Sequence, residues 1–171
     1  IPLVIVATIH PNFYPNRFLD VIVSNNHDFH MISEADDLIY YDDLQATIGS
    51  VLKNAPWALF SGLYRPFLWE AGTPLKLLLA LENFLLMVLS VTALLNVGKL
   101  VRSLNRLLLF SAILYVVVLC LFLALSTPNF GTLARYRIGF LPFFVLLISI
   151  ENPLLNRLKG LVQRSGSHLV P

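Results

Sequence analysis

Residues 107–125 read LLLFSAILYVVVLCLFLAL, a stretch without a single charged side chain. At 1.5 Å of rise per residue, a helix of this length reaches about 28 Å, close to the thickness of a bilayer's hydrocarbon core. Upstream, residues 75–97 (LKLLLALENFLLMVLSVTALLNV) are also long enough to cross, with Glu82 and Asn83 in their first third. Downstream, residues 138–155 form a third span, interrupted by Pro142 and closed by Glu151, Asn152 and Pro153, which reads as tilted, kinked or partly inserted.

Composition agrees with lipid as the solvent. Hydrophobic residues make up 57% of the chain and charged residues 13%, against roughly 45–50% and 25% in soluble domains. The net charge of +2 is small and the basic residues are scattered, which excludes nucleic acid as a partner. Cys120 is the one cysteine, so neither a disulfide nor a zinc site can be built within this chain. No Walker, GxSxG or Gly-rich dinucleotide sequence is present, which removes the soluble NTPase, hydrolase and dehydrogenase readings.

The organisation expected is all-α, a polytopic helical membrane protein fragment with about three transmembrane helices and an outer-face loop. Residues 1–9 (IPLVIVATI) are too short to span and read as the tail of an upstream transmembrane helix. Residues 10–74 form the loop, residues 75–164 the three-helix region, and residues 165–171 (SGSHLVP) a tag or linker remnant. Lys99, Arg102 and Arg106, with Arg157, Lys159 and Arg164, outweigh Arg65, Lys76, Arg135 and Arg137. The positive-inside bias then puts residues 10–74 and 126–137 on the outer face.

Within the loop, residues 10–43 read as ordered with little regular structure, because Pro11, Pro15, Asn25 and Asn26 are turn residues. Asp43 is a candidate cap for a short helix in which Leu44, Ile48, Val51 and Leu52 recur, ending near residues 54–56. The aromatics Trp57, Phe60, Tyr64, Phe67 and Trp69 then suit the headgroup level. Together they predict an interfacial amphipathic helix and aromatic belt lying on the membrane surface over residues 42–69.

Three constellations can carry chemistry. Glu82 is a carboxylate at membrane depth and so a candidate by cost alone, the alternative being a structural pair with Lys76 or Arg135. Residues 127–137 (TPNFGTLARYR) bring Arg135, Tyr136 and Arg137 to the outer mouth, where guanidinium forks fit phosphate or ordinary lipid headgroups. Residues 64–70 (YRPFLWE) add Arg65 beside Glu70, as part of a cationic rim or as a local pair. These six residues are the expected site for an anionic lipid headgroup. The acidic run with His27, Asp28, His30, Glu34, Asp36 and Asp37 offers a general base, but its spacing fits no metal motif and no metal is assigned.

At residues 129–144 (NFGTLARYRIGFLPFF), an RYR followed by a proline-containing apolar helix resembles the closing segment of bacterial envelope-polysaccharide proteins. These are the Wzy-like polymerases and the GT-C glycosyltransferases. The resemblance implies sugar transfer at the outer face of the bacterial inner membrane, with an undecaprenyl-diphosphate-linked glycan as partner. It implies that Arg135 and Arg137 hold the diphosphate and offset leaving-group charge. A transporter or flippase, or a noncatalytic subunit bound to other membrane subunits, remains the alternative.

Overall fold

The computed structural model describes residues 15–167, so the expected helix tail at residues 1–9 lies outside them. Among the described residues the chain is all-helical, with no strand and one isolated bridge between Leu38 and Asn129. The helices are α1 (Pro15–Ile32), α2 (Ile48–Tyr64), α3 (Pro74–Leu94), α4 (Val97–Ser103), α5 (Arg106–Ser126), α6 (Phe130–Tyr136), α7 (Leu141–Ser149) and α8 (Pro153–Ser167).

Helices α3 and α5 are each long and apolar enough to cross a membrane. Helix α6, continued by a 3-10 turn through Gly139, forms with α7 a pair bent by 69°, which makes a third candidate span. By length and composition the chain is thus a helical membrane protein, with two or three candidate spans among the described residues. Local chemistry sets the ends. Thr73 caps α3 by accepting from the Lys76 amide, with Pro74 in the first turn, and Asn105 caps α5 by accepting from the Leu107 amide.

The third candidate span is not the expected 138–155: it begins at Phe130, within residues expected in the outer-face segment, and ends at Ser149. Pro142 lies in the first turn of α7, after a bend at Phe140. At the other end Glu151 takes a left-handed φ of 55°, a conformation that ends the helix. Asn152 is fully buried and uses its amide at both ends. Its Nδ2 donates to the carbonyls of Leu89 and Ile148, and its Oδ1 accepts from Thr92 and from the Leu154 amide that opens α8. One side chain therefore ties α3, α7 and α8 together. Helix α8 continues through Ser167, so residues 165–167 are helical rather than a bare linker, and residues 168–171 lie outside the described residues.

Two sequence expectations are corrected by the helices before the first span. Residues 15–32, read as irregular, form α1, with Pro15 in the first helical position where its missing N–H breaks no bond. Asn26 marks no turn: it faces inward at 7% exposure and its Nδ2 donates to the Leu125 carbonyl at 2.7 Å. The Tyr41 hydroxyl donates to the neighbouring Ala124 carbonyl at 2.8 Å. The last turn of a helix leaves carbonyls without amide partners; here α1 and the following loop supply donors to α5.

Helix α2 does not stop near residues 54–56. It starts at Thr47, which accepts from the Ser50 amide, and passes through Pro56 to Tyr64. Ala58 packs with Ala124 and Leu125, and a Cβ on Gly62 would come within 2.7 Å of Cys120 Sγ and 3.0 Å of Ala124 Cβ. Rising residue numbers in α2 thus meet falling numbers in α5, and the two helices run antiparallel in close contact. Lipid tails are as apolar as leucine, so small residues that let backbones approach drive such packing more than burial does. That contact outweighs the lost amide of Pro56. Below it, Leu63, Leu86, Val116, Cys120, Phe140, Phe144 and Ile148 form the buried core.

Candidate functional site

From Tyr64 the chain leaves α2 and returns through residues 65–73 to the start of α3. Irregular backbone inside a bundle must find its hydrogen bonds in protein. Arg137 satisfies the last turn of α2, and Asn83, which it holds, reaches the irregular segment. At 4% exposure, its Nε donates to the Gly62 carbonyl at 2.8 Å, one terminal nitrogen to the Leu63 carbonyl, and the other to Asn83 Oδ1 at 2.8 Å. Asn83 Nδ2 in turn donates to the Pro66 carbonyl at 3.2 Å. Pro66 has no amide proton to offer the end of α2, and a guanidinium is placed there instead. The favourable field at a helix C-terminus adds to the attraction.

The returning segment builds one wall of a cavity at the loop end of the bundle. Arg65 grips Glu70 through Nε, at 3.2 Å, and through a terminal nitrogen, while the Phe67 amide donates to the same carboxylate at 2.7 Å. The Arg65 guanidinium also lies over the rings of Phe130, Trp57 and Phe67, at 4.8, 5.6 and 5.8 Å. The opposite wall is the 3-10 turn Ala35–Asp37 and the extended residues after it, held by the Ile39 amide on the Pro128 carbonyl at 2.9 Å. Lys76, in the first turn of α3, closes the floor by pairing with Asp37.

The half-open cavity between these walls is about 650 Å3 and is lined by four carboxylates, Glu34, Asp36, Asp37 and Glu70, against two cations, Arg65 and Lys76. Both cations are paired, and Glu34 and Asp36 enter no ion pair among the described residues. Tyr40 and Trp69 line the same space, Trp69 being 81% exposed and stacked on Phe67. Trp69 also lines an apolar groove of about 380 Å3 between α2 and α3, with Trp57, Phe60, Tyr64, Phe67 and Met87. A carboxylate-rich polar cavity and an aromatic groove therefore meet at one tryptophan.

Beside the cavity, His30 on α1 stacks against Tyr40 with ring centroids 5.1 Å apart. Partial burial pushes its pKa below the usual histidine value, and His27 adds to the shift. Among the described residues no three His, Cys, Asp or Glu side chains come together so as to hold a metal ion.

The six residues singled out from sequence fall in three places. Arg65 and Glu70 line the cavity as a pair. Arg137 is interior and bonded to protein acceptors, while Arg135 and Tyr136 are exposed at the end of α6. Glu82 is exposed on α3 and pairs with neither Lys76, which Asp37 holds, nor Arg135. The three guanidinium groups thus do not gather around one anion, and the double-arginine clamp implied by the resemblance is not the arrangement present. Sequence reasoning underweighted Lys76, Tyr40 and Trp69. The available signal was a lysine in the first turn of a span, which needs a carboxylate near the surface. Compared with protein-family models, curated proteins and solved structures, the chain matches none.

Proposed function

We propose that the chain belongs to a membrane glycosyltransferase or polysaccharide polymerase and binds a lipid-linked glycan at the loop end of the bundle. The observation that carries this reading is the junction at Trp69 of a hydroxyl-compatible cavity with an apolar aromatic groove. The ligand matching both is an amphiphile with a sugar head and a long hydrocarbon tail. Carboxylates accept sugar hydroxyl protons in hydrogen bonds, and exposed aromatic side chains such as Trp69 and Tyr40 suit the C–H faces of a pyranose.

The excess of carboxylates favours the glycan over a diphosphate as the group seated in this cavity. Asp36 and Glu34, free of cationic partners among the described residues, are the candidate general bases for an acceptor hydroxyl. Arg65 and Lys76 order the walls through Glu70 and Asp37. The groove between α2 and α3 takes the proximal part of the tail, opening sideways to the bilayer. The reading favours the outer leaflet of a bacterial inner membrane as the location.

The test is binding of a short-chain polyprenyl-linked oligosaccharide to the purified full-length protein, followed by native mass spectrometry. Trp69→Ala should weaken binding at least tenfold, and Asp36→Asn should reduce glycan transfer with little change in affinity. If both variants bind and turn over like the parent, the site is elsewhere. A transporter is the second reading, favoured by the bent α6–α7 pair packed against the core. In that case vesicles would translocate the lipid-linked glycan with no new glycosidic bond.

A further inference from the structure

The end of the bundle away from the polar cavity carries charge of one sign. There α3 ends, α4 follows, α5 starts at Arg106 and α8 starts at Pro153. Asn96 Nδ2 donates to the Glu151 carbonyl at 3.1 Å, and Asn152 joins Thr92 on α3 to the Leu154 amide that opens α8. These bonds hold the starts of α4 and α8 at one level. Lys99, Arg102, Arg106, Arg157 and Lys159 are exposed, and none enters an ion pair among the described residues. From Asn83 to the end of the sequence, Glu151 is the only acidic side chain.

Both short helices sort their residues by face. At about 100° per residue, Val97, Leu100 and Val101 fall on one side of α4 and Lys99 and Arg102 on the other. Val97 and Leu100 line a groove against α5, so the cations point away from the bundle. On α8, Leu154, Leu155, Leu158 and Leu161 form one apolar stripe, with Arg157 and Lys159 about 100° to either side of its middle. The bundle leaves the end of that stripe uncovered, Leu158 and Leu161 being exposed by 49% and 62%. A leucine stripe with a cation on each shoulder suits the membrane interface, where the stripe enters the acyl region and the cationic stems reach up to the headgroups. We infer that α4 and α8 seat this end of the bundle on an anionic lipid leaflet, with α8 lying in the interface. Charge complementarity selects the occupant. A second copy of the same face would set cation against cation, and an apolar helix would leave Arg157 and Lys159 without acceptors, whereas anionic headgroups supply a counter-charge to each.

The experiment places the full-length protein, with a fluorescent amino acid at Leu158, in bilayers of mixed phosphatidylcholine and phosphatidylglycerol. Quenching by spin-labelled phosphatidylglycerol is compared with quenching by spin-labelled phosphatidylcholine. The anionic lipid should be enriched around residue 158 by about threefold or more at low salt, and high salt should remove most of the preference. The variant Lys99→Gln/Arg102→Gln/Arg157→Gln/Lys159→Gln should bring the two lipids to within about 1.5-fold of each other. Arg135→Gln, on α6 at the other end of the bundle, should leave the preference as it is. The salt measurement needs no substitution, so it decides the matter even where the multiple variant fails to fold. Equal quenching by the two lipids in the parent, a preference untouched by high salt, or shielding of residue 158 from both lipids would overturn the assignment.

Discussion

Replacing Arg137 probes the structural role assigned to it most sharply. In Arg137→Leu the carbonyls of Gly62 and Leu63 and Oδ1 of Asn83 all lose their donor. Hydrogen bonds to a charged group contribute about 1.5–3 kcal/mol each, and a buried acceptor left alone costs about 1–3 kcal/mol. Against this, removing the guanidinium relieves a desolvation penalty of several kcal/mol. With three acceptors stranded, the loss wins by about 3 kcal/mol. For a chain of this size that lowers the unfolding midpoint by about 6–12 °C. Arg137→Lys is the informative companion. A single ammonium cannot span acceptors on α2 and α3, yet it keeps the buried charge, so it should be at least as destabilising as leucine. The assay is thermal unfolding in detergent followed by the fluorescence of Trp57 and Trp69, which flank the segment Arg137 holds. A midpoint within 2 °C of the parent for Arg137→Leu, or full retention by Arg137→Lys, refutes the assignment.

Gly62→Ala places a methyl group against Cys120 Sγ and Ala124 Cβ, and should cost about 1–3 kcal/mol as overpacking does; most of that should return in the Gly62→Ala/Cys120→Ala double variant, read by the same unfolding assay. The His30 shift has a definite sign. Its folded-state pKa lies below the model-peptide value of 6.5, so the folded protein resists protonation there. Its contribution is fully present above about pH 6.5 and is lost as pH falls toward the folded-state pKa. An NMR titration should place His30 below 6.5, and His27→Ala should move it part of the way back; a His30 midpoint at or above 6.5 would contradict the geometry.

The two clear spans were legible because an unbroken apolar stretch of that length has few other uses, and the caps at Thr73 and Asn105 lie at their edges. A break near Pro142 was legible too, since proline fits the first turn of a new helix, but the start of that span at Phe130 and its end at Ser149 were not. Helix α1 was hidden because the meaning of Asn26 depends on a carbonyl at Leu125, 99 residues away. The full length of helix α2 is not legible because Pro56 breaks helices by local rules, whereas here the contact of Gly62 with α5 overrides them. The site was half legible. The Arg65 and Glu70 pair is local and visible as a spacing, but which arginine turns inward depends on where α2 ends. The link between Lys76 and Asp37 crosses 39 positions without any periodic signal.

The central claim is that one amphiphile occupies the polar cavity and the aromatic groove together, with Trp69 between head and tail. Two photo-reactive analogues of a polyprenyl-linked oligosaccharide test it directly, one carrying the reactive group on the sugar and one on the proximal isoprene units. The account predicts labelling of residues 34–40 and 69–76 by the first and of residues 57–67 and 80–87 by the second, with both lost on competition by the unmodified lipid. Labelling by the sugar probe at the exposed end of α6, near Arg135 and Tyr136, with the cavity left unmarked, would contradict it.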